Sequence, residues 1–226
     1  MRLFNFDIFS KHKYTGLLLT LLLLFIAYAI VGEQIEEIVL SFILLSVIVL
    51  IVRTFYLRKR AFYFYLVIAG LGFIADCIYI LFADFLHFPF LPALIASSIY
   101  ICFFILSIVL ITHKLFQYEE VTLDTIIGGI CVFLLIGDLW FLFYATIYLF
   151  NSEAFAYSKQ IIQPFDLLYF SFTTLTTVGY GDIVPVSRLA KIVANFEAII
   201  GVIFPAVFIS RLVGTYHPNT DKSGRK

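Results

Sequence analysis

Polar positions cut the chain into long apolar runs, and six of these have the length of a membrane crossing. They cover Tyr14–Val31, Ile38–Val52, Ala61–Phe82, Ala93–Thr112, Leu123–Phe150 and Leu189–Leu212. A helix crosses the hydrocarbon with ~20 residues, so the second run is short and its ends extend toward Glu36 or Arg53. A seventh apolar stretch, Pro164–Thr176, is too short to span and ends rich in threonine. It reads as a re-entrant helix, which membrane depth tolerates only where protein surrounds it. The pattern predicts an all-α membrane protein with six transmembrane helices and a re-entrant helix and loop between the last two. The polar stretch His113–Asp124 separates four spans from two. The expected division is therefore 1–118, a four-helix transmembrane domain, then 119–214, a two-helix domain with its loop, then a short tail, 215–226.

Composition agrees with a bilayer as solvent: 62% of residues are hydrophobic and 13% charged, too little polar surface to cover a soluble core. The formal net charge is zero, and nothing points to nucleic acid. Cys77, Cys102 and Cys131 lie inside apolar runs and read as free thiols rather than a disulfide or metal site. Basic residues set the orientation. With both termini cytoplasmic, twelve lie inside, including the cluster Arg53, Arg58, Lys59 and Arg60, and only Lys159, Arg188 and Lys191 lie outside. The stretch Leu3–Phe9 is expected to lie flat at the cytoplasmic interface. A cleaved signal peptide ending near Ala27-Tyr28-Ala29 fits less well, because the apolar run is at the long end for one.

The chemistry concentrates in TTLTTVGYGD, Thr173 to Asp182. Within it, Thr177-Val178-Gly179-Tyr180-Gly181 is the pore signature of potassium channels, and the chain resembles the potassium channel pore-loop superfamily over about Leu123–Leu212. Potassium sheds water only where oxygens replace its hydration shell. The backbone carbonyls of Thr177, Val178, Gly179 and Tyr180, with the Thr177 hydroxyl, supply such oxygens when four chains surround one axis. Gly179 and Gly181 allow the positive φ that aligned carbonyls require. Pro164 suits the first turn of the preceding helix and Asp166 its positive end.

The resemblance implies further roles. Tyr169 and Phe170 occupy the place of the aromatic cuff that braces the filter, where two tryptophans are usual. Tyr169 hydroxyl to Asp182 is the expected brace, with Thr173, Thr174 and Thr176 as further filter support. An inner-helix glycine is expected twenty residues after Gly181, and Gly201 stands there. Pro205 removes the ladder bond to the Gly201 carbonyl, so the two make a hinge; close packing is the alternative use of such residues. In the family register Val202, Pro205 and Ile209 face the ion pathway and could close it by dewetting, while Phe204 and Phe208 pack. The whole chain resembles, more loosely, a bacterial ion-channel family with four plain helices ahead of a pore module. The resemblance implies a homotetramer in the cell membrane. Its permeant ion, K+, is held at the filter only, with no other metal and no cofactor.

Asp76, Asp138 and Glu197 fall within spans, where an ionised acid is costly. They are candidate proton or polar modulators. Asp138 and Glu197 lie at the depth of the filter's inner end, within expected reach of Ser171, Thr173 or Thr174; Asp76 is expected to meet Ser97, Ser98 or lipid headgroups.

The fourth span has no Arg or Lys before Lys114. One charge moved through 100 mV is worth only ~2.3 kcal/mol, so steep voltage gating is not expected. The stretch Val213–Lys226 is too short for a soluble ligand-binding gating domain.

Rival functions are a cation channel of relaxed selectivity, a non-conducting scaffold, and a subunit of a potassium uptake system, whose proteins resemble four degenerate repeats in one chain. An enzyme is not expected. Gly179-Tyr180-Gly181-Asp182 formally matches the GxGD of intramembrane aspartyl proteases, with Asp138 as second acid. However, the proline-broken stretch after Asp182 cannot be the inside of a span.

Overall fold

The structure is a computed structural model that describes residues 14–30, 46, 59–82, 90–117, 121–157 and 163–215. Its helices are α1 (Thr15–Ile30), α2 (Lys59–Phe82), α3 (Phe90–Gln117), α4 (Leu123–Phe150), α5 (Pro164–Leu175) and α6 (Arg188–Thr215). Among the described residues α3, α4 and α6 are long and apolar enough to cross a membrane. The predicted run Ile38–Val52 apart from Ser46, the interfacial stretch Leu3–Phe9 and most of the basic positions that set the orientation lie outside the described residues. Helix α4 matches its predicted bounds residue for residue, because its ends carry local signals. Thr122 accepts the Thr125 amide at 3.2 Å as the N-cap, and Asn151 closes the far end.

Helix α4 is the hub, packed against α1, α3, α5 and α6. Its glycines explain how one helix meets several neighbours. A Cβ on Gly128 would lie 2.7 Å from the Leu115 side chain of α3, and one on Gly137 would lie 2.7 Å from a ring carbon of Phe172 of α5. At Gly129 the missing side chain leaves room for the Phe208 ring of α6. Small residues let transmembrane helices approach, and each neighbour uses the gap to seat a bulky side chain.

Helix α1 is held at its start: the Tyr14 amide donates to Asp124 Oδ1 at 3.2 Å, in the first turn of α4. Tyr14, Leu17 and Leu21 are buried at helical spacing, while Leu19, Leu22, Leu23 and Ile26 are exposed. Further along, Phe25 meets Phe172 edge-on with ring centroids 4.8 Å apart, so α1 reaches α5 directly. At the end of the bundle where Tyr14 meets Asp124, Arg211 Nη2 donates to the Phe116 carbonyl at 3.1 Å, joining α6 to the last turn of α3.

The all-helical expectation misses one feature. Strands β1 (Phe155–Tyr157) and β2 (Ile183–Pro185) pair antiparallel, with Ala156 opposite Val184. A short 3-10 turn, Ser152–Ala154, precedes β1, and the Ala154 carbonyl accepts Val186 N–H at 2.8 Å. This ribbon ties the segment after α4 to the segment after the filter.

Candidate functional site

Helix α5 begins at Pro164, as expected from a residue whose fixed φ suits the first turn. Asp166 Oδ2 accepts the Gln163 amide at 2.9 Å and closes that end. The other end turns straight into the filter. Thr177 N–H donates to the Thr174 carbonyl at 2.9 Å; Val178 and Gly179 N–H both donate to the Thr173 carbonyl, at 2.9 and 3.1 Å. The segment Thr177–Gly179 is thus hung from the last carbonyls of α5, which would otherwise have no helical partner. Thr173 and Thr176 hydroxyls turn back to the carbonyls of Phe170 and Phe172.

Along the filter the backbone alternates. Thr177, Gly179 and Gly181 have φ of 59°, 54° and 79°. Positive φ at the two glycines agrees with the sequence pattern. At Thr177 it does not, because a β-branched residue enters that region only when its surroundings hold it there. The hydrogen bonds from Thr177, Val178 and Gly179 to α5 provide that hold. Thr176 to Asp182 are all exposed in the single chain, Tyr180 to 71%.

The aromatic positions divide their work. Tyr169 stacks on Tyr180 with ring planes 3° apart and centroids at 6.2 Å. Asp182 lies close enough to Tyr169 for the two side chains to interact, the pairing expected from the sequence. Phe170 points the other way, into a cluster with Tyr144 and Phe155 at centroid distances of 4.9 and 5.5 Å.

Behind the filter Glu197 is fully buried and accepts the Tyr144 hydroxyl at 2.5 Å, with Ser171 Oγ 2.6 Å away. The expected partnership with Ser171 is present. Tyr144 is a partner that sequence reasoning misses, although a phenol inside an apolar span needs a polar partner and is the available signal. Asp138 is a correction: both its carboxyl oxygens are buried without a hydrogen-bond partner among the described residues. Successive helical residues leave ~100° apart, so Gly137 meets Ser171 through its carbonyl while the Asp138 side chain leaves from another face. Asp76 is half-buried on α2, close enough to Tyr100 of α3 for an electrostatic interaction, and Ser98 turns to the Leu94 carbonyl instead.

Gly201 is buried against α5, where an added Cβ would run into the Leu175 carbonyl group. Helix α6 continues unbroken through Gly201 and Pro205. Phe204 stacks on Phe133 of α4 at 6.3 Å and on Phe208 at 5.9 Å, so both phenylalanines pack as expected. Val202 and Ile209 are exposed and Pro205 is half-buried.

A family model described as an ion channel matches residues 130–216, the segment that holds most of α4, the filter and α6. The voltage-gated potassium channel Kch of Escherichia coli (strain K12) is 35% identical over 122 residues, 54% of this chain and 27% of that protein. Two pore potassium channel b of Oryza sativa subsp. japonica is 36% identical over 86 residues, 37% of this chain and 25% of that protein. The calcium-gated potassium channel TvoK of Thermoplasma volcanium is 47% identical over 44 residues, 20% of this chain and 13% of that protein. The chain therefore matches only about a quarter or less of the length of these relatives. No solved structure matches it significantly. Over this segment the chain is similar to potassium channels of the pore-loop superfamily. Its apolar helices and the ion-channel match support a multi-pass membrane protein.

Proposed function

We propose that this protein is the subunit of a potassium-selective channel that carries K+ passively across the cell membrane. The observation that carries the reading is the backbone of Thr177–Gly181, with positive φ at alternate residues of an uninterrupted signature. That alternation lets successive carbonyls face one side, the donor set that a weakly held, dehydrating K+ requires. The oxygens for the permeant ion come from the Thr177–Tyr180 backbone carbonyls and the Thr177 hydroxyl.

Four copies around one axis complete the pore. The exposure of Val178, Tyr180, Val202 and Ile209 in the single chain supports a partner surface there. Residues 119–214 form the pore domain, and 1–118 form a four-helix domain without voltage-sensor arginines. Both termini are cytoplasmic. Tyr169, Phe170 and Asp182 brace the filter; Gly201 and Pro205 are the hinge of the inner helix, and Val202, Pro205 and Ile209 face the ion pathway.

Purified protein in planar bilayers, under opposed K+ and Na+ gradients, tests this. Reversal close to the K+ equilibrium potential is expected. Reversal near zero would mean a channel of relaxed selectivity.

A further inference from the structure

Glu197 joins the three helices of the pore, and the hydrogens available to it can be counted. Its Oε2 accepts the Tyr144 hydroxyl of α4 at 2.5 Å, and its Oε1 lies 2.6 Å from Ser171 Oγ of α5. Ser171 Oγ also lies 2.8 Å from the Gly137 carbonyl oxygen of α4. These three contacts need three hydrogens, and the two hydroxyls bring two. With an ionised carboxylate, Oε1 and the Gly137 oxygen, both acceptors, compete for the single Ser171 hydrogen. One contact would then set acceptor against acceptor in a buried site, where an unmade bond is expensive. A protonated Oε1 donates to Ser171 Oγ, Ser171 donates to the Gly137 carbonyl, and Tyr144 donates to Oε2. Every contact then holds one hydrogen.

No cation offsets a charge there: among the described residues Tyr144 and Ser171 are the groups that act on Glu197. Asp138 on the same helix as Tyr144 hydrogen-bonds to neither.

The position of this group matters as much as its charge. Ser171 and Leu175 stand one turn apart on α5, as Glu197 and Gly201 do on α6. Ser171 meets Glu197 and Leu175 meets Gly201, so the two helices are joined by successive rungs. The upper rung is polar and the lower is backbone against backbone.

We infer that Glu197 is a protonated positioning residue that fastens the pore helix to the inner and outer helices, so that movement of α6 is transmitted to the filter. The coupling rests on the channel reading; the hydrogen-bonded hub does not.

The test uses the assembled full-length protein and the variants Glu197→Gln, Glu197→Ala and Tyr144→Phe. Glutamine reproduces the pattern, its amide N–H donating to Ser171 and its carbonyl accepting from Tyr144. Glu197→Gln should keep open probability within about twofold of the parent, while Glu197→Ala, which leaves Tyr144 without its acceptor and Ser171 bonded only to the Gly137 carbonyl, should change it about tenfold. Tyr144→Phe, which keeps the ring in its aromatic cluster, should show a smaller change of the same sign. Infrared difference spectra between parent and Glu197→Gln at neutral pH should show loss of a protonated carboxyl band, whether or not the protein conducts. A lost carboxylate band, or a glutamine variant as impaired as the alanine one, would overturn the inference. A parent protein with the carboxyl band but no K+ current would defeat the channel reading and leave the hub standing.

Discussion

Replacing Gly201 by alanine sets a methyl carbon against the end of the pore helix. The added Cβ would lie 2.8 Å from the Leu175 carbonyl carbon and 3.1 Å from its Cα, with the carbonyl oxygen nearer still. The obstacle is backbone, which no rotamer change moves aside, so α5 and α6 must part. Inserting a methyl into a packed core costs about 1–3 kcal/mol, and the rigid obstacle places this site at the upper end. Alanine also regains up to about 1 kcal/mol of helix propensity, leaving a net loss of about 2 kcal/mol per chain. Gly214, on the same helix with nothing within 4 Å of its Cβ position, is the control. Gly214→Ala should be neutral or slightly stabilising. Denaturant unfolding of the purified protein reads both, and bilayer recording reads the filter. Because Leu175 immediately precedes Thr176 and Thr177, Gly201→Ala should also lower unitary conductance. Pro205→Ala restores a donor to the Gly201 carbonyl without approaching Leu175, so conductance should stay and only open probability should shift. A hinge makes the two shifts alike in sign and less than additive. A Gly201→Ala protein as stable as the Gly214→Ala control, with unchanged unitary conductance, would refute the steric reasoning.

Two further outcomes are expected. Gly179→Ala should abolish K+ current: with φ of 54° and nothing within 4 Å, the penalty is conformational, about 1–2 kcal/mol per chain, repeated around the pore. Persisting normal current in that variant would mean the ion passes elsewhere. Steady-state activation should depend only weakly on voltage, since Lys114 is the basic residue of α3 and sits in its last turn. A measured gating charge of several units per channel would show that other charges move.

Local chemistry made much of this protein legible in one dimension. Apolar runs bounded by Thr122 and Asn151, a proline opening α5, and glycines where φ must be positive depend on residues a few positions apart. The bounds of α4, the start of α5 and the positive φ at Gly179 and Gly181 could therefore be read directly from the chain. The filter also carries its own donor set, since backbone carbonyls need only the right conformation. Tertiary structure decided which faces meet. Glu197 finds Tyr144 53 positions away and Ser171 26 positions away, and both acids looked equally able to reach Ser171 until helix rotation left Asp138 without a partner. Strands of three residues are too short to show alternation, and α5 and the filter separate them, so the β1–β2 ribbon had no local signal. Thr177 enters the left-handed region because α5 carbonyls hold its neighbours, against its own preference. Gly201 was legible as a small residue beside a proline. Only the approach of the Leu175 carbonyl shows that its missing side chain is what lets the inner helix touch the pore helix.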